Sequence, residues 1–169
     1  MSMSTTEATL EVSMLNASAN NLNFSEIAID LATRQLPLEI VTRLESLWDI
    51  TNAVAGAVVS TGRIIVIKIW EFIKENPNMA IGVVIGAAIG ALVNLIPFIG
   101  QLLAPLAMAI GATVGGLSGG RMDDIANGVN VSYTTFEDLI SVAKKFYALL
   151  ADIFNEMKGC RFYHYYLSR

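Results

Sequence analysis

The chain has 169 residues, enough for one ordinary domain and cramped for two. Its apolar share of 54% and mean hydropathy of +0.54 exceed those of ordinary soluble domains, which tilts the class towards membrane association. The net charge of −4 is unevenly placed: residues 1–75 carry nine acids and five bases, and 121–169 carry six of each. No basic patch recommends nucleic acid as a partner, and the acidic first half argues against polybasic adhesion to anionic lipid.

Residues 1–23 are rich in Ser, Thr and Asn and read as a polar, flexible arm. They contain neither a basic nor an apolar signal region, so synthesis in the cytoplasm without a conventional signal peptide is expected. Residues 24–75 read as amphipathic helices. The first is expected to start near Ser25, placed as an N-cap before Glu26 and Asp30. Pro37 interrupts it or opens the next helix, over about 38–50, where apolar residues recur at 40, 41, 44, 47, 48 and 50. Residues 53–75 are greasier but contain Arg63, Lys68 and Glu71. An amphipathic helix with a broad apolar back is favoured there over a membrane span, because each charge at a span centre costs about 2.5–3.5 kcal/mol.

Asn76-Pro77 breaks the pattern, and from Asn76 to Gly120 there are 45 residues without Asp, Glu, Lys or Arg. One continuous helix of that length would reach ~67 Å, roughly twice the hydrocarbon thickness of a bilayer. Asn94, Pro97, Gly100 and Gln101 cluster at its middle, so a hairpin is expected, with arms at about 77–95 and 99–120. Pro105 lies inside the second arm, either kinking it or marking its start. Each arm carries a glycine ladder: Gly82, Gly86 and Gly90 in the first, Gly111, Gly115 and Gly119 in the second. At four-residue spacing these glycines share a face on which another helix can approach to backbone contact. In water a mid-helix glycine costs about 0.5–1 kcal/mol against alanine, and nine of the thirteen glycines fall here. Lipid is therefore the favoured surrounding, with Asn94, Gln101, Thr113 and Ser118 as polar residues for a turn or a pore lining.

Arg121-Met122-Asp123-Asp124 marks the return to water. Thr134 and Glu137 form a capping-box pattern that opens an amphipathic helix over about 134–158. Its apolar stripe runs through Phe136, Leu139, Ile140, Ala143, Phe146, Tyr147, Leu150, Ile153, Phe154 and Met157. Gly159 is a plausible C-cap, and an aromatic tail follows. No strand of useful length is evident, so the expected class is all-α: a central glycine-zipper hairpin surrounded by amphipathic helices.

Chemistry is sparse. His164 is the only histidine and Cys160 the only cysteine, so a catalytic triad or closed zinc site has too few members. The glycine-rich stretch lacks the GK[ST] of a P-loop. No enzyme activity, catalytic residue, metal or cofactor is expected.

This layout, over about residues 25–158, resembles the pore-forming domains of colicins, in which amphipathic helices shield a hydrophobic hairpin. It also looks like the small pore-forming effectors of bacterial type VI secretion systems, a likeness carried by Gly82, Gly86, Gly90, Gly111, Gly115 and Gly119. The resemblance implies delivery into a rival cell, insertion into its inner membrane, self-association and ion leakage that dissipates the membrane potential. It further implies a cognate immunity protein and a secretion carrier as partners. Lys74-Glu75-Asn76-Pro77 and the ladder after it are similar to the membrane tail of small ribosome-associated inner-membrane proteins, over under twenty residues. Two competing readings are a membrane-anchored scaffold, with 134–158 as docking helix, and a phage holin.

Overall fold

A computed structural model describes residues 3–54, 57–77, 79–96, 99–110, 136–157 and 163–165. Eight helices dominate these residues: α1 (Thr5–Asn20), α2 (Phe24–Thr33), α3 (Leu38–Trp48), α4 (Thr61–Glu75), α5 (Ile81–Leu95), α6 (Gly100–Ile110), α7 (Phe136–Phe146) and α8 (Ala148–Met157). Three short strands, β1 (Thr51–Val54), β2 (Ala57–Val59) and β3 (Tyr163–Tyr165), form an antiparallel sheet in the order β2-β1-β3.

The chain is mostly helical, as expected, with two departures in its first half. Residues 5–20, expected as a flexible arm, form a helix. Ser4 caps it: its hydroxyl accepts from the Glu7 amide, and the Glu7 carboxylate accepts from the Ser4 amide at 3.0 Å. Its buried residues are the small Ala8, Val12 and Ala19, so the helix forms no broad apolar stripe and leans on neighbours α4 and α8. The second departure is the sheet. Thr51, Val54, Val58 and Val59 are β-branched, and the two short strands that hold them pair before α4 begins, so the expected helix over 53–75 starts only at Thr61.

Local signals place several boundaries. Asn23, rather than Ser25, caps α2, its side chain accepting from the Ser25 amide at 3.1 Å. At the other end Gln35 adopts φ 68°, and the Leu36 amide reaches back to the Leu31 carbonyl at 3.0 Å. This is a Schellman-type ending, with Leu31 and Leu36 both buried. Pro37 then opens α3, and Asn76-Pro77 ends α4, both as expected.

The centre of the bundle is α4. Ile64, Ile65, Val66 and Ile67 are buried in succession, with Ile69, Phe72 and Ile73 beyond them. Four consecutive buried positions span more than one helical stripe, so this helix is enclosed on most sides, by α1, α3 and α5. Its entry is tight: the Gly62 amide donates to the Ile50 carbonyl at 2.9 Å, and a Cβ at Gly62 would overlap the Leu47 carbonyl. Ser60 is buried, its amide donating to Asn16 Oδ1 at 2.8 Å and its hydroxyl to Asn20 Oδ1 at 3.1 Å.

Candidate functional site

The uncharged stretch supplies α5 and α6, which pack on each other. The break between the two helices falls between Asn94 and Gln101, the residues at which the sequence predicts it. Both residues are exposed, and Asn94 donates through Nδ2 to the Gly90 carbonyl of its own helix at 3.1 Å. Pro105 does not start the second helix; it lies inside α6, leaving the Gln101 carbonyl without the usual amide donor. Gly111, Thr113, Gly115, Ser118 and Gly119, together with Pro97, Thr134, Gly159 and Cys160, lie outside the described residues.

The first arm is shorter than expected. Its helix starts at Ile81 rather than Pro77 and runs for 15 residues, ~22 Å at the rise of an α-helix. Among the described residues no helix is long and apolar enough to cross a membrane.

α5 has protein around it. It packs against α4, α6, α7 and α8, most extensively against α7. Val84, Ile85, Ala87, Ala88, Ile89, Ala91 and Leu92 are buried, while the glycines of the first ladder are half-buried. The position where a Cβ at Gly90 would sit is 3.8 Å from Ile140 Cδ1 of α7, an ordinary contact distance. This end of the ladder therefore faces an amphipathic helix. The other helix of the uncharged stretch is open on one side. Leu103, Leu106 and Ala109 point inwards and α6 packs on α3, but Ala104, Pro105, Ala107 and Met108 are exposed, Met108 by 75%.

The expected amphipathic stripe of the C-terminal region is buried, but against two neighbours: α7 packs chiefly on α5 and α8 chiefly on α1. Leu139, Ala143, Tyr147, Leu150, Ile153 and Phe154 are buried, and Phe146 is 37% exposed. The single helix expected over 134–158 is interrupted at Tyr147. The Tyr147 side chain is fully buried beside Phe72 and Phe146, with ring centroids 5.7 Å and 5.1 Å away, and its hydroxyl donates to the Lys68 carbonyl at 3.0 Å. Burial pushes this phenol well above its usual range, and the nearby Glu71 charge adds to the shift. Asn155 ties α8 to α5, donating through Nδ2 to the Leu95 carbonyl at 2.9 Å.

A polar clasp between α2 and α4 was not legible in the sequence. Asp30 Oδ2 accepts from Trp70 Nε1 at 2.7 Å and from Arg34 Nε at 2.8 Å, while Lys74 Nζ sits 3.7 Å from the Trp70 ring centroid. Burial alone would raise the Asp30 carboxyl. The Trp70 and Arg34 hydrogen bonds and the Arg34 and Lys74 charges outweigh it and hold the group below its ordinary 3.8. Asp30 and Trp70 are forty positions apart, beyond the reach of any local pattern.

His164 lies in β3 opposite Asn52 of β1. The Asn52 side chain is buried, and its Oδ1 has no hydrogen-bond partner among the described residues. Comparisons with protein-family models, curated proteins and solved structures found no match to this chain.

Proposed function

We propose that this protein is a pore-forming antibacterial effector that inserts the stretch 76–120 into a target inner membrane, self-associates and leaks ions. The observation that carries the reading is the surface of α6, an uncharged helix that turns Ala104, Pro105, Ala107 and Met108 outwards. Its partner α5 is also uncharged and is wrapped by helices that carry their charges elsewhere. A bundle that packages two uncharged helices, one of them partly bare, holds apolar surface that a bilayer would accept. Because α5 is short, insertion requires the hairpin helices to lengthen, and the 45 uncharged residues supply enough chain for two crossings of ~20 residues. An immunity protein and a secretion carrier are the partners this reading implies.

Purified protein added to liposomes loaded with a fluorescent ion reporter tests it. Wild-type protein is expected to release the contents. Gly86→Leu on α5 and Gly115→Leu in the second ladder are expected to reduce release strongly, with circular dichroism confirming unchanged helix content before vesicles are added. Undiminished release by both variants removes the ladders from the mechanism. Stable vesicle binding with no release by the wild type favours the scaffold reading.

A further inference from the structure

We propose, resting on the insertion reading, that Met108 is an oxidation switch: hydrogen peroxide converts its thioether to the sulfoxide, which leaves the packed bundle intact and blocks insertion of the uncharged stretch. The chain has seven methionines, at 1, 3, 14, 79, 108, 122 and 157. Among those whose side chains are described, Met108 is the most exposed at 75%, followed by Met14 at 57%. Met3 and Met79 are half-buried against the core. Peroxide has to reach the sulfur, so Met108 reacts among the first.

The reaction transfers one oxygen of the peroxide to the sulfur. The O–O bond breaks, an S–O bond forms, the sulfur loses two electrons, and the second oxygen leaves as water. A flexible apolar side chain becomes a polar one with a strong acceptor oxygen. In the bundle this changes little, because Met108 already stands in water on the bare face of α6 with Ala104 and Pro105. The residues that seat α6 in the core are Leu103, Leu106 and Ala109, none of which reacts with peroxide.

The same change is strongly disfavoured in a bilayer. Met108 falls close to the middle of the arm expected over 99–120, which puts it deep in hydrocarbon when that arm crosses. The residues three and four positions away in sequence, Ala104, Pro105, Gly111 and Ala112, carry no side-chain donor. Backbone amides of a spanning helix are already committed to its own carbonyls. The sulfoxide oxygen therefore finds no partner on its own helix, and an unpartnered polar group is disfavoured in an apolar medium. One oxygen atom thus acts on one state and not on the other, which is the condition for shifting an equilibrium between them. Met14, the other exposed methionine, lies on α1, outside the uncharged stretch, and serves as an internal control.

The test compares wild type, Met108→Leu and Met14→Leu before and after mild hydrogen peroxide treatment. Leucine keeps the size and apolarity of methionine and has no sulfur. Peptide mapping by mass spectrometry follows each methionine, circular dichroism melting reports the packed bundle, and liposome release reports insertion. In wild type, Met108 and Met14 are expected to gain oxygen before Met79, with the melting transition unchanged. Release is expected to slow by roughly tenfold or more, the scale of burying one polar group without a partner. Met14→Leu should slow as wild type does, and Met108→Leu should keep its rate. Cys160 and the remaining methionines are common to wild type and Met108→Leu, so their oxidation cancels in that comparison. Methionine sulfoxide reductases, one for each epimer of the sulfoxide, should restore release by the treated wild type.

Full release by wild type in which mapping shows Met108 as the sulfoxide overturns the switch. So does equal slowing of Met108→Leu, oxidation of Met79 ahead of Met108, or a lower melting temperature of oxidised wild type that Met108→Leu escapes. The two readings fail in different ways. No release by any untreated protein rejects insertion, and the switch with it. Release by untreated protein that survives oxidation of Met108 leaves insertion standing and rejects the switch alone.

Discussion

The backbone of Gly62 lies against the main-chain carbonyl of Leu47, with no room for a methyl group between them. A Cβ at Gly62 would also come within 2.8 Å of the Leu47 carbonyl carbon and 3.1 Å of the Ile50 carbonyl oxygen. All three atoms are backbone, so no rotamer change relieves the overlap. Gly62→Ala forces α4, the central helix, away from the end of α3. A loss of more than about 3 kcal/mol is expected, the scale of severe overpacking in a core. Urea denaturation monitored by circular dichroism measures it, and a loss below 1 kcal/mol contradicts the close approach.

Gly90 is expected to behave in the opposite way. Its would-be Cβ meets Ile140 Cδ1 at 3.8 Å, so alanine fits without displacement. Gly90→Ala should stabilise the packed bundle by up to about 1 kcal/mol through helix propensity. Under the proposed function the same change fills the ladder face and slows vesicle release. A variant with a higher melting temperature and lower release is the expected outcome. Equal or faster release argues that this face takes no part in insertion.

Tyr147 predicts an alkaline limit to stability. Its phenol is raised well above 10.0 by burial first and by the Glu71 charge second. A group raised in the folded state contributes stability that is complete below its unfolded value and is lost as pH rises towards the folded one. Unfolding is therefore expected to become easier above about pH 10, the ordinary phenol value. In Tyr147→Phe the slope of stability against pH above that point should be shallower. Identical slopes in the two proteins place the alkaline sensitivity elsewhere.

Asp30 predicts the acid counterpart. Its carboxylate is held below 3.8 by Trp70, Arg34 and Lys74 despite the cost of burial. The stability it contributes is present above pH ~3.8 and lost as pH falls through the lower folded value. Asp30→Ala removes both hydrogen bonds at once. With its side chain 33% exposed, a cost of about 1–2 kcal/mol at neutral pH is expected, below that of a fully buried charged pair. Trp70 fluorescence should shift in the variant as the indole loses its acceptor. An unchanged emission maximum contradicts the Asp30–Trp70 contact.

What the sequence determined by itself is local. Asn76-Pro77 ends one helix because a proline restricts its neighbour and cannot continue the ladder of amide bonds. The break between α5 and α6 follows from an uncharged run too long for one helix, and the stripe through Leu139, Ala143, Leu150 and Phe154 follows from 3.6-residue periodicity. Even α1 carried a readable signal, the spacing of Ser4 and Glu7, although its polar composition argued for a loose arm. Only the tertiary structure decided which helix is central. The sequence shows α4 as a charged, amphipathic wrapper, yet α4 is itself enclosed by α1, α3 and α5. It also decided that Gly62 is the glycine without room for a side chain, and that the Tyr147 hydroxyl meets the Lys68 carbonyl 79 residues away. Periodicity reports which face of a helix avoids water. It cannot report which neighbour covers that face, because the partner is chosen by shape and hydrogen-bond complementarity between segments far apart in the chain.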